Sequence, residues 1–313
     1  MALIVLAASS AASTVRLPGA GDDVALGGQL ALHHAEPALP WPGTPDGPPL
    51  GAPHDVTVAA PLGPHAIVPI LYYHYIRNIQ PTAQNLLSFQ LSIPPALFAQ
   101  QMALLHVEGA HPITLSTLMD ALAGKRDLPT RPVVLTFDDG YADFATAVQP
   151  VMSRYGFVAT DFVVSGFINR PRYMTAGQIQ LMESRGMVIG AHTVHHVDLA
   201  TVPVATARDE VLNSKSALER LLRHPVLDFA YPYGGFNSAV AQLVQEAGFR
   251  EAVTTIGGDQ QTLAGRFALH RTGIGGAPSL ATFAAAAGVP LPTTAQFAVI
   301  AFLARQPAVA RTA

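Results

Sequence analysis

Between residues 67 and 275, short runs of branched apolar residues alternate with longer stretches of helical apolar spacing, and this alternation restricts the fold more than any other feature. The runs in "IVPILYYHYI", "VVLTFDD", "FVATDFVVS", "MVIGAHT", "VLDFAYPYG", "FREAVTT" and "FALHRTGI" read as strands. Between them, "PPALFAQQMALLHVEG" puts Phe98, Met102 and Leu105 near one face, and "DFATAVQPVMSRYG" is a helix stopped by its glycine. "TAGQIQLMESRG" opens on a threonine cap, and "VATARDEVLNSKSALERLL" and "SAVAQLVQEAG" are further amphipathic helices. Strands separated by helices pair in parallel, because a parallel neighbour is reached only through a crossover. The class is therefore α/β, as a barrel or a doubly wound sheet, and both place ligands beyond the carboxyl ends of the strands. With 313 residues, 50% of them hydrophobic, the chain can fill one barrel-sized core or two smaller ones.

The chain ends read differently. Residues 1–16, "MALIVLAASSAASTV" and the arginine after it, resemble a secretory signal without its leading positive charge, and they set the expectation of an extracellular or cell-envelope protein. Residues 17–65 are rich in Pro, Gly, Ala and His and keep no hydrophobic period, so they read as a linker or arm. Trp41 lies there, and His33, His34, His54 and His65 read as solvated. Residues 289–313 read as a tail, in which "AQFAVIAFLA" is too short to span a bilayer and reads as a packing helix or strand. A net charge of −3 gives no footprint for nucleic acid, and two lysines (Lys125 and Lys215) make no polybasic membrane patch. Cysteine is absent, so a metal would have to be held by His, Asp or Glu.

Two polar clusters follow apolar strands. In "VVLTFDDGYADF" a buried strand ends on two adjacent acids, which repel each other and resist desolvation. The ordinary reading is a strand end whose acids cap the next helix. In "GAHTVHHVDL" three histidines fall within five residues, and His192 with either His195 or His196 could converge on one ion. Two imidazoles and one carboxylate make a set that leaves positions open for water and substrate. A dication would also offset the repulsion of Asp138 and Asp139, so that one acid binds the ion and its neighbour moves the proton.

"LTFDDGYADF", "GAHTVHHVDL" and "FAYPYGGFN", in that order, resemble the leading motifs of the metal-dependent polysaccharide deacetylases of carbohydrate esterase family four. The resemblance covers roughly residues 67–275. It implies a distorted (β/α) barrel of about seven parallel strands, a catalytic domain over residues 66–288 and hydrolysis of N-acetyl groups on an N-acetylglucosamine polysaccharide. By the same pattern Asp138 is the general base, Asp139, His192 and His196 hold a divalent metal with His195 as a spacer, and the Tyr233 N–H stabilises the oxyanion. Zinc is the default ion, and cobalt or nickel suits the same ligands.

The pattern is broken twice. Asp228, Phe229 and Ala230 stand where an arginine usually precedes the third motif, and no late Leu-x-His motif supplies a catalytic acid. "PILYYHYI" instead precedes the first motif, as in the circularly permuted branch that includes deacetylases of poly-N-acetylglucosamine. This makes His74 the candidate acid and His270 its rival, with Arg271 either orienting Asp138 or forming a surface ion pair. An O-acetyl esterase and an inactive carbohydrate-binding relative are the competing functions. The implied partner is a polysaccharide, with association to the cell envelope, and the sequence sets no oligomeric state.

Overall fold

A computed structural model describes residues 64–307. The signal-like segment, Trp41, His33, His34 and His54 lie outside the described residues. The main sheet contains β1 (Ile70–Tyr73), β2 (His111–Ile113), β3 (Pro132–Asp139), β4 (Thr160–Val163), β5 (Val188–Ala191), β6 (Asp228–Ala230), β7 (Glu251–Val253) and β8 (Thr272–Gly273). Seven of these follow one path, β7-β6-β5-β4-β3-β1-β8, and β2 joins the start of β3. Every pairing is parallel, as the alternation with helices requires.

Residues 269–273 decide between a barrel and an open sheet. Leu269 bridges in parallel to Val253 of β7, while Thr272 and Gly273 pair with Leu71 and Tyr72 of β1. One short segment thus touches both edges, and the sheet curls on itself. It is the distorted barrel, not the doubly wound sheet.

The side-chain period of two sorts β3 into two rows. Val133, Leu135 and Phe137 join the large cluster shared with the helices. Val134 joins an inner cluster with Ile70, Phe162, Ala230, Val253 and Leu269, so Thr136 and Asp138 continue the inward row. Leu115, Leu118, Met119 and Leu122 belong to that inner cluster and come from α2 (Leu115–Leu122), which closes one end of the barrel.

The helices begin and stop where the sequence chemistry says. Thr175 and Gln178 form a capping box on α4 (Ala176–Ser184), and Gly156 ends α3 (Gln149–Tyr155) at φ 66°. A π-helical turn, Phe144–Val148, precedes α3, where Pro150 has no N–H to give to the turn before it. Asn237 caps α6 (Ser238–Glu246), and α5 (Val204–Leu222) is the long amphipathic helix. The helix α1 (Pro95–Val107) is buried on more than the predicted face, because α7 (Leu280–Ala286) and α8 (Thr294–Ala304) cover it. Thus "AQFAVIAFLA" is a packing helix, started by a Thr293–Gln296 capping box. At the other boundary, His65–Ile67 pairs antiparallel with Gln260–Thr262.

Candidate active site

The segment read as one strand, "IVPILYYHYI", breaks at His74. Pairing with β3 ends at Tyr73, and Tyr75–Ile76 pairs instead with Ser92–Ile93. His74 therefore sits just past the carboxyl end of β1, level with the acids that end β3. His192 and His196 follow β5, and Tyr233 follows β6. All these strands are parallel, so their polar endings share one rim of the barrel.

Adjacent residues of a strand point to opposite faces, yet both acids serve this rim. The backbone explains it. Asp139 has φ 80° and Gly140 φ 76°, so the chain leaves the strand through two left-handed residues. Glycine tolerates that region freely and aspartate better than most residues.

Asp138 lies in the inner row and meets Arg271 in a two-pronged ion pair. Nη1 donates to Oδ1 and Nη2 to Oδ2, both at 2.8 Å. The guanidinium also gives Nη1–H to Thr136 Oγ1 at 3.0 Å and Nε–H to the Thr254 carbonyl at 2.8 Å. Arg271 is fully buried, so the reading of a surface ion pair is corrected. Burial pushes the Asp138 carboxyl up, but Arg271 outweighs it and holds the group below its ordinary range.

Asp139 sits among imidazoles. Its Oδ1 is 3.1 Å from His196 Nε2 and 3.5 Å from His192 Nε2. Burial raises this carboxyl, and His196 with His192 brings it well below the usual value. The ligand atoms of Asp139, His192 and His196 all lie within 4.8 Å of one another. Of the two pairs that spacing leaves open, the structure gathers His192 with His196. His195 turns away, its side chain 62% exposed and its Nδ1 2.7 Å from Glu210 Oε1.

The donor set fits a divalent cation. His192 Nδ1 is 2.7 Å from the Ala230 carbonyl, which can only accept, so Nδ1 carries a proton and Nε2 is the nitrogen left to offer its lone pair to a cation. Nε2 faces a carboxylate oxygen at 3.5 Å, a spacing that either a proton or a cation between the two can hold.

His74 shares the electrostatics of this cluster. Burial lowers its pKa, while Asp139 and Asp138 act against the shift. His270 does not: burial alone lowers it, and no charged group of the site acts on it. Arg271 faces the barrel interior, so its neighbour His270 faces the other way, near Gly258. Tyr233 lies in a tight turn at φ 59°, with its ring 4.6 Å from that of His196.

Four residues at or near the rim receive no role from the motifs. Tyr72 precedes His74 by two on the same face, with its ring 5.8 Å from His74 and 4.6 Å from the Arg271 guanidinium. Thr136 precedes Asp138 in the same way, and the period of two was the available signal for both. Asp161 is a buried carboxyl on β4 that burial, Asp138, Asp143 and Asp139 push well above the usual range. Glu210 reaches the histidine loop from α5, which no local spacing announces.

Residues 125–252 match the polysaccharide deacetylase family. The chain is 28% identical to YxkH of Bacillus subtilis (strain 168) over 220 residues, which are 70% of this chain and 76% of that protein. It is 32% identical over 81 residues to the poly-beta-1,6-N-acetyl-D-glucosamine N-deacetylase of Escherichia coli (strain K12), covering 26% of this chain and 12% of that one. Among solved structures, the Streptococcus pyogenes deacetylase PplD in complex with acetate superposes with a TM-score of 0.65 at 27% identity, over 70% of this chain and 97% of that one.

Proposed function

The chain carries a polysaccharide deacetylase domain, and from that premise we propose that it removes N-acetyl groups from a polysaccharide containing N-acetylglucosamine. The observation that carries the reading is the pairing of two unlike acids: Asp139 facing His192 and His196, and Asp138 locked to Arg271 beside it. The similarity to a named poly-N-acetylglucosamine deacetylase, limited to 81 residues, supports this choice of glycan.

Asp139, His192 and His196 would hold a divalent cation, zinc by donor type. Such an ion, when bound, supplies a Lewis acid for the acetamide oxygen and lowers the pKa of water. Asp138 is the base: Arg271 keeps it ionised and fixes its orientation, so it can take a proton as water attacks the carbonyl carbon. The Tyr233 N–H, in its left-handed turn, is the donor assigned to the developing oxyanion. As the C–N bond breaks, His74 gives a proton to the departing nitrogen, leaving acetate and a free amine. The Tyr72 ring meets that of His74 edge to face at 5.8 Å, and the charge of Asp139 favours the protonated form of His74.

The test is acetate release from N-acetylglucosamine oligomers by metal-stripped protein, with and without added zinc. Zinc-dependent release supports the reading. Zinc uptake with no release from any N-acetylated glycan would overturn it.

A further inference from the structure

The loop of residues 192–196 carries both imidazoles of the cation site and is held by a side chain 14 residues past its end. Glu210, in the second turn of α5, is buried. Its Oε2 accepts the Val194 N–H at 2.9 Å and the His195 N–H at 2.8 Å. Its Oε1 lies 2.7 Å from His195 Nδ1, which completes three contacts from one carboxylate to two consecutive residues. The loop has reason to need such a clamp. Thr193 and His196 have φ values of 65° and 58°, a left-handed conformation that costs non-glycine residues energy, and no glycine lies among these five residues. Thr193 Oγ1 accepts the His196 N–H at 2.9 Å and ties the second ligand to the same turn.

We propose that Glu210 is a positioning residue for the cation site. By holding the N–H groups of residues 194 and 195, it fixes the left-handed turn that aims His192 and His196 at Asp139. The inference rests on reading Asp139, His192 and His196 as cation ligands. His195 then has a role despite facing solvent: its ring is the third donor to the clamp.

The test uses the full chain, stripped of metal and titrated with cobalt(II), in the wild type and in Glu210→Ala, Glu210→Asp and Glu210→Gln. Glutamine keeps the clamp, because Oε1 can accept both amide hydrogens while Nε2 donates to the other tautomer of His195. Aspartate is one methylene short of reaching all three donors. The cobalt dissociation constant should rise about 10–100-fold in Glu210→Ala, by a lesser factor in Glu210→Asp, and by no more than about threefold in Glu210→Gln. The visible spectrum of bound cobalt should change in the alanine variant and not in the glutamine one. With saturating metal, the KM for an N-acetylglucosamine oligomer should stay at the wild-type value. If Glu210→Ala fails to fold, the comparison of Glu210→Asp with Glu210→Gln carries the test. Variants that lose thermal stability but bind cobalt as tightly as the wild type, with the same spectrum, would reduce Glu210 to a structural residue and overturn the proposal. A wild-type chain that takes up no cobalt would instead overturn the cation reading itself, and this inference with it.

Discussion

The barrel buries two pairs of neighbouring carboxyl groups, one at each end, and their pKa values are shifted in opposite directions. At the rim where the strands finish, Asp138 and Asp139 are both held below the ordinary carboxylate range. At the end where β6 and β7 begin, Asp228 and Glu251 are direct cross-strand neighbours, and both are shifted upward, Glu251 to about 9. Burial is nearly complete in both pairs, so burial does not separate them. Nitrogen partners do. Asp138 has both carboxylate oxygens on a guanidinium, and Asp139 faces two imidazoles. Glu251 has Arg250 at 3.7 Å, an arginine already bonded to Asp120 at 2.5 Å, and its other polar neighbours include the Ser116 hydroxyl and Asp228. In these two pairs the direction of the shift follows the partner, downward where the fold sets a cationic or metal-ready group against the acid and upward where it does not. That is the physical difference between a pair that can do acid–base chemistry near neutral pH and a pair that shares a proton.

The largest effect comes from making the rim resemble the closed end. Arg271→Met leaves Asp138 buried without its cation, a change that typically costs about 3–5 kcal/mol of stability. It should also lower kcat/KM by roughly 10² to 10⁴, as Asp138 loses its orientation and its ionised form. The sign of the pH effect follows from the shift. Arg271 holds the Asp138 pKa down, so removing it moves the acid limb of the pH–rate profile to higher pH. A profile measured at saturating zinc checks this, with thermal unfolding run beside it.

In the proposed mechanism the alkaline limb belongs to His74. Its pKa is lowered, chiefly by burial, so the protonated form that can give up a proton is lost as pH rises through a value below that of an ordinary histidine. His74→Gln should remove that limb and cost about 10²-fold in kcat/KM. His270→Gln should leave the limb in place, because no charged group of the site acts on His270.

Much of this was legible in the sequence because strand ends in a parallel barrel are marked by chemistry. The runs before Asp138, His192 and Tyr233 are apolar, and the polar residues that follow them must share one rim. The grouping of Asp139, His192 and His196 needed only the spacing and the family resemblance. What stayed hidden was set by register and distance. Nothing local pairs Asp228 with Glu251, since a whole helix separates two strands that lie side by side. Arg271 reads equally as a surface charge, because only two residues of its segment form a regular strand and the burial comes from closure of the barrel. Glu210 looks like one more polar residue on an amphipathic helix until the histidine loop folds onto it.

The closed end gives a smaller effect, on stability alone. A carboxyl near 4.5 when unfolded and near 9 when folded binds its proton more tightly in the native state. The stability it adds is complete below the unfolded value and is lost as pH rises through the folded one. The unfolding midpoint should therefore fall between pH 5 and pH 9, by about 2–4 °C for each kcal/mol lost. Glu251→Gln should flatten that slope without changing kcat/KM. Among the rim variants the smallest effect on activity is that of Thr136→Val, which removes the bond from Arg271 and the hydroxyl's own bond to the Leu71 carbonyl but leaves the two to Asp138. It should cost about 1–3 kcal/mol of stability and less than tenfold in kcat/KM.

The division of labour between the two rim acids is the centre of the account, and one paired measurement reaches it: zinc stoichiometry and acetate release on the same preparations of wild type, Asp138→Asn and Asp139→Asn. Asp138→Asn should take up zinc as the wild type does and release acetate about 10² to 10⁴ times more slowly. Asp139→Asn should fail to retain zinc. An Asp138→Asn protein that loses its zinc, or that releases acetate at the wild-type rate, would contradict the assignment of one acid to the ion and the other to the proton.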